Sequence, residues 1–282
     1  MAENTLKERI FRTLKDLPPM PEVAQKARMV LSNPKSSFSD LAKVIESDQG
    51  IVTRVLKMAN SPFYGLSGNV SSIQRAAMVL GSKTLMELLS MACSSEIMSG
   101  MLDGYGIAAG DLWKHSLAVA GASRMIARRI RPEMEQDAFS AGIIHDAGKI
   151  ILNPYILEKK SEFQSYVKEG KGSFLDAEKA ILGFDHAELA SDVCKHWKIP
   201  AHIALAIRYH HDPTPSDNDI LTYIIHMADA AAIMSGIGAG MDGMLYPING
   251  HAMEFLNLKG DDIPEIMAET AEYIEKTVQS PG

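Results

Sequence analysis

The residues of this chain best suited to chemistry sit where side chains should be buried. His145, Asp146 and Lys149 lie in the stretch Ala141-Gly-Ile-Ile-His-Asp-Ala-Gly-Lys149, which continues through Ile150, Ile151 and Leu152. A buried charge without a partner is expensive, or it titrates until it is neutral. An imidazole, a carboxylate and an ammonium on one apolar helix must therefore satisfy one another or share a partner. A divalent metal is one such partner, and ordinary hydrogen bonds within the core are the alternative. His145 and Lys149 are four residues apart and share a helix face, whereas Asp146 points about 100° away. His145 and Asp146 would then grip one ion from two sides, or Asp146 would bridge two.

Other histidines fall at informative spacings. Asp111 and His115 stand at i, i+4, His186 follows a candidate helix cap at Asp185, and His210-His211 form a doublet. Asp229 lies in the apolar run Ile224-Ile-His-Met-Ala-Asp-Ala-Ala-Ala232, where an acid needs a partner. Together these are five imidazoles and three carboxylates. Such a mixed set suits iron, manganese or zinc and is too rich in nitrogen for magnesium or calcium. The alternative is a collection of unrelated capping and surface groups. His196, His202, His226 and His251 lack comparable company and read as structural or exposed.

The elements that must position these groups read as all-α, in two helical lobes. Leu6, Ile10, Phe11 and Leu14 suggest a first helix, stopped by Leu17-Pro-Pro-Met-Pro21. Ser37 with Asp40 resembles a capping box, and Gly81-Ser82 leads into a long apolar helix ending near Gly100. Residues 1–105 read as a lobe of short helices, with glycine-rich Met101 to Gly110 near the boundary. Residues 106–235 form the histidine-bearing lobe. Its helices are expected at 111–130, 138–152, 156–168, 174–182, 186–197, 201–210 and 219–234. Residues 236–282 supply a glycine-rich loop and a last helix, Ile263 to Val278, with Ile263, Ile266, Met267, Ala271, Ile274 and Val278 on the face that packs on the body.

The chain has 282 residues and 46% hydrophobic content, ample for a core, and its formal net charge is −7. That balance argues against general attraction to nucleic acid or to an anionic membrane. Two cysteines, Cys93 and Cys194, make no disulfide framework. The charged N-terminus and the lack of any run of ~18 apolar residues point to a cytoplasmic protein without a membrane span.

The order of these residues, with His-Asp-Ala-Gly-Lys at the centre, resembles the HD superfamily of metal-dependent phosphohydrolases. Leu17-Pro-Pro-Met-Pro-Glu-Val23, Asn60-Ser-Pro-Phe-Tyr64 and Ile73-Gln-Arg-Ala-Ala-Met-Val-Leu-Gly81 resemble the HDOD family, the bacterial HD-related output domain. The resemblance implies an all-helical fold linked to bacterial signalling, in a family whose members often lack the metal ligands that this sequence retains. It implies His115, His145, Asp146 and Asp229 as the basic metal site. Similarity to HD-GYP phosphodiesterases, which cleave cyclic dinucleotides, would add Asp111 (where that group has Glu), His186, His210 and His211. Lys149 would correspond to the lysine facing the substrate phosphate. Where that group continues into Gly-Tyr-Pro, this chain reads His211-Asp-Pro-Thr-Pro215, so the resemblance favours metal binding over cyclic dinucleotide specificity.

Two functions are expected from this. In the first, two divalent ions, iron or manganese ahead of zinc, are bridged by Asp146 and lower the pKa of an attacking water. Lys149 then offsets the charge that develops on a phosphate ester or nucleotide. In the second, the metal site is structural or sensory, and output runs through protein partners of the N-terminal lobe, where the prolines and the Asn60 to Asn69 loop with Phe63 and Tyr64 offer a surface, packing between the lobes being the favoured use of those aromatics.

Overall fold

The computed structural model describes residues 9, 10, 12, 22–33, 35–66, 68–238, 240 and 248–278. Among them the structure is helical, with one isolated antiparallel bridge between Leu102 and Ile107 and no strand. The expected first helix around Leu6, Phe11 and Leu14, the prolines of 17–21 and most of the glycine loop beyond Gly238 lie outside the described residues. The chain divides into two compact units, one of Pro18–Ile97 with Ala271–Gly282 and one of Met1–Leu17 with Met98–Thr270.

The first unit holds α1 (Glu22–Ser32), α2 (Phe38–Ile45), α3 (Gln49–Ala59) and most of α4 (Ile73–Met98). Ser37 caps α2 as its spacing predicted: its hydroxyl accepts the Asp40 N–H, and the Asp40 carboxylate accepts the Ser37 N–H. Leu41, Ile45, Ile51 and Val55 fill the core. At the end of α3 the Asn60 side chain donates to the carbonyls of Leu56 and Val70 and accepts the Val70 N–H, which closes the following loop. Phe63 stacks edge-on against Tyr64 and Tyr273, with ring centroids 4.9 and 4.6 Å apart. Helix α4 has the length and apolarity to cross a bilayer. Its backbone breaks at Gly81, however, with φ 81° and ψ 165°, a conformation that glycine permits. Leu85, Leu88, Leu89 and Met91 of its second half are buried in protein.

The second unit carries α5 (Asp111–Ile130), α6 (Glu135–Ile144), α7 (Gly148–Glu158), α8 (Lys160–Lys168), α9 (Phe174–Leu182), α10 (His186–His196), α11 (Ala201–Arg208), α12 (Ile220–Met234), the short α13 (Ala252–Phe255) and the start of α14 (Asp262–Val278). Helix α5 packs on α6 and α12, and α10 packs on α11 and α7. Ile10, Leu102, Tyr105, Leu152, Phe163 and Phe174 share one core. The stretch 101–110 is a tight turn inside this unit, with Leu102, Tyr105 and Ile107 buried.

The expected helix 138–152 is in fact two helices. Between α6 and α7 the chain tightens into three-residue steps, with Ala147 N–H bonded to Ile144 O and Lys149 N–H to Asp146 O. Two glycines let this turn press against its neighbours. A Cβ on Gly142 would stand 2.7 Å from Ala120 Cα in α5, and one on Gly148 only 2.0 Å from the His186 carbonyl oxygen in α10. Downstream, α7 continues through Pro154, where the sequence suggested a break, because Ile151, Leu152 and Ile156 on both sides of the proline are buried. The last helix buries Ile266, Thr270, Tyr273 and Thr277, so its inner face is rotated from the expected one, and Val278 is exposed. Arg129 of α5 pairs with Asp262, Glu265 and Glu269, which fixes the acidic side of that helix, and the Thr270 hydroxyl is satisfied by Ile266 O.

Candidate metal centre

Three helices and two turns deliver side chains to one buried space. His115 comes from the second turn of α5, His145 and Asp146 from the α6–α7 turn and His186 from the first residue of α10. His210 and His211 follow the end of α11, and Asp229 lies mid-way along α12. None of these side chains is more than 7% exposed.

The orientation of the rings is the informative feature. His115 Nδ1 lies 3.1 Å from Ile237 O, His145 Nδ1 2.8 Å from Gly142 O, His210 Nδ1 2.7 Å from Ile207 O, and His186 Nδ1 2.8 Å from Glu178 Oε2. Each of these oxygens can only accept, so each Nδ1 carries the proton. All four rings therefore direct Nε2 inward.

There they meet the two carboxylates. Asp229 Oδ1 is 3.0 Å from His115 Nε2 and 3.8 Å from His145 Nε2. Asp146 Oδ2 is 3.5 Å from His145 Nε2, and Oδ1 is 3.3 Å from His186 Nε2 and 3.9 Å from His210 Nε2. His211 reaches both sides, with Nε2 2.8 Å from His186 Nε2 and Nδ1 3.8 Å from Asp229 Oδ2. Donors around one ion at metal–nitrogen distances of ~2.1 Å lie about 3–3.5 Å apart, so this spacing fits an ion. His145 Nε2, His210 Nε2 and Asp146 Oδ1 are buried without a hydrogen-bond partner, while Asp146 Oδ2 meets the Lys149 ammonium and Asp229 Oδ1 meets His115 Nε2. Native interiors rarely tolerate so many orphans in one place, and a cation would satisfy them all.

The electrostatics divide the imidazoles into two groups. Burial pushes His145 down, His210 down to about 3 and His211 well below the usual imidazole range, so all three offer lone pairs at neutral pH. Burial alone would raise both carboxylates. Against it, Lys149 and the neighbouring imidazoles hold Asp146 well below the ordinary range, and the hydrogen bond and charge of His115 do the same for Asp229. His115 is raised by the two aspartates against the opposing effect of burial. His186 is likewise pushed down by burial and carried up to about 10, chiefly by Glu178.

Seven of the eight expected ligand positions are thus brought together, in three overlapping groups that share Asp146, His145 and His210. Asp111 is not among them. It opens α5, where an acid suits the helix dipole, and its carboxylate, 38% exposed, pairs with Lys114 Nζ at 3.3 Å. Lys149 turns its Nζ to Asp146 Oδ2 at 2.8 Å, beneath the Tyr105 ring. His226 is buried and structural, its Nδ1 donating to His210 O and its Nε2 accepting the Asn249 N–H. His202 is exposed and pairs with Asp137. The sequence reading missed Glu178 and Tyr105, although Glu178 sits four residues from both Phe174 and Leu182 on a buried face, a position where an acid stands out.

The HDOD domain model matches residues 17–213, more than two thirds of the chain. The chain belongs to the HDOD family. The HDOD fold recurs in a crystal structure of an HDOD domain protein of unknown function from Geobacter sulfurreducens, 24% identical, covering 95% of this chain and 97% of that one with a TM-score of 0.73. A proposed phosphohydrolase from Shewanella amazonensis is 20% identical over 94% of this chain and 97% of its own, with a TM-score of 0.68. An uncharacterized protein of Treponema pallidum is 23% identical over 201 residues, 70% of this chain and 38% of its own length, so the HDOD chain spans well under half of that relative.

Proposed function

We propose that this HDOD protein binds divalent metal at the His/Asp cluster and hydrolyses a phosphate ester or nucleotide, in a bacterial cytoplasmic signalling context. The observation that carries the reading is the inward turn of four Nε2 atoms onto two buried carboxylates, with His145 Nε2, His210 Nε2 and Asp146 Oδ1 left without a hydrogen-bond partner. His115, His145, Asp146 and Asp229 would hold one ion, and Asp146, His186, His210 and His211 a second. The nitrogen-rich donor set favours iron or manganese ahead of zinc. Such ions supply Lewis-acid charge to a phosphoryl oxygen and lower the pKa of water.

The chain's own residues do the rest. Asp146 presents its two oxygens to different halves of the cluster, so it is able to join them. Lys149 adds a positive charge at the same carboxylate, suited to offset charge developing on phosphorus oxygens. The deep setting strengthens every one of these interactions by excluding water. That same depth favours a second reading, in which the ion is structural or sensory and output passes to protein partners of the N-terminal unit.

Hydrolysis of a chromogenic phosphodiester and a phosphomonoester by Mn2+-loaded protein separates the two. The first reading expects turnover that disappears in Asp146→Ala. Stoichiometric metal with no turnover on any phosphate ester, or full turnover in Asp146→Ala, would overturn the catalytic reading.

A further inference from the structure

Three of the inward-facing imidazoles are oriented by main-chain carbonyls, and the fourth is oriented by a charged side chain. Glu178 is completely buried in α9, and its Oε2 accepts twice from one residue, from the His186 backbone N–H at 2.8 Å and from Nδ1 at 2.8 Å. Its other oxygen accepts the Tyr105 hydroxyl at 2.6 Å. Tyr105 is itself buried, packed on Phe174 and set edge-on to the His186 ring.

Helix capping does not explain the arrangement. The N-terminus of α10 already has its cap in Asp185, which accepts the Glu188 N–H, and the bond from Glu178 to the ring adds nothing to a helix end. With backbone and ring of His186 gripped by one oxygen, and the other oxygen pinned by Tyr105, ring rotation is blocked. Nε2 is left facing Asp146 Oδ1 at 3.3 Å and His211 Nε2 at 2.8 Å.

We propose that Glu178, anchored by Tyr105, is a positioning residue that keeps the proton on His186 Nδ1 and so presents Nε2 to the metal. Hydrogen bonding of a ligand imidazole to a carboxylate fixes its orientation and raises its basicity, and losing such a partner typically weakens metal binding about 10–100-fold. This rests on the metal reading above, and its test is separable from it.

Glu178→Gln keeps an oxygen for both His186 donors and removes the charge, while Tyr105 can turn its hydroxyl to accept from the new amide. Chelator competition with Mn2+ is expected to show a dissociation constant raised about 10–100-fold in Glu178→Gln. Unchanged Mn2+ affinity in a folded Glu178→Gln protein would overturn the proposal. The second measurement needs no ion. In the metal-free wild-type chain, nitrogen-15 correlation spectra, assigned with His186→Gln, should show a proton on His186 Nδ1 that exchanges slowly with water, and fast exchange there in Glu178→Ala. An unprotonated Nδ1 in the wild type would equally overturn it. If the wild type takes up no Mn2+, the metal reading fails, and the Nδ1 measurement alone decides the role of Glu178.

Discussion

Lys149 Nζ stands 2.8 Å from Asp146 Oδ2 across one tight turn, with neither side chain more than 6% exposed. Removing one member of a buried pair leaves the other charge stranded, at a cost of about 3–5 kcal/mol. Urea unfolding of metal-stripped Lys149→Met should therefore show a loss of this order, partly recovered in the Lys149→Met/Asp146→Asn double variant. A loss below about 1 kcal/mol would mean that the ammonium does not hold Asp146 in place.

Gly148 and His186 meet backbone to backbone. Gly148→Ala places a Cβ against the His186 carbonyl, and relief requires α7 and α10 to separate. The expected destabilisation is about 2 kcal/mol or more in denaturant unfolding, together with weaker metal uptake, since His186 shifts with its backbone. Gly250→Ala, which meets open space, is the control and should stay within about 0.5 kcal/mol of wild type.

The positions of the helices were largely legible in the sequence, because apolar periodicity and caps are local properties. Asp111–Ile130 has the expected bounds, and the Ser37–Asp40 capping box is where its spacing put it. Features set by tertiary packing were not legible. The break at His145–Ala147 and the continuation through Pro154 depend on what α7 packs against. The inner face of α14 depends on threonines and a tyrosine that bury as well as any aliphatic residue. In the site, the inward histidines announced themselves by sitting in apolar company. Asp111 had the right spacing but an exposed position, and the roll of its helix cannot be read from an i, i+4 pair alone. Glu178 went unread because a single acid in an amphipathic helix looks solvated until its neighbours are known.

The Cys93 thiol should be inert in the folded chain. Burial pushes its pKa up to about 12 against a small opposing effect of Arg54. At pH 8 only about one molecule in 10,000 would then carry the reactive thiolate. Alkylation should be negligible at pH 8, rise about tenfold per pH unit while the fold persists, and become complete on unfolding in guanidinium. Rapid alkylation of Cys93 at pH 8 in native protein would contradict this.

Asn60 makes three hydrogen bonds that tie the end of α3 to Val70. Asn60→Ala should cost about 2 kcal/mol in denaturant unfolding. Asn60→Asp should be no better, because its carboxylate can accept from Val70 N–H but faces the Leu56 and Val70 carbonyls without a donor. Full stability in Asn60→Asp would show that the two donated bonds contribute little.

Metal content of the purified protein tests the central claim most directly. Elemental analysis of chain prepared without oxygen should find iron, manganese or zinc approaching two equivalents per chain, and Asp146→Ala should lose it while keeping its helical circular dichroism. A wild-type chain free of transition metal after incubation with excess Mn2+, or an Asp146→Ala chain with undiminished metal, would contradict the account.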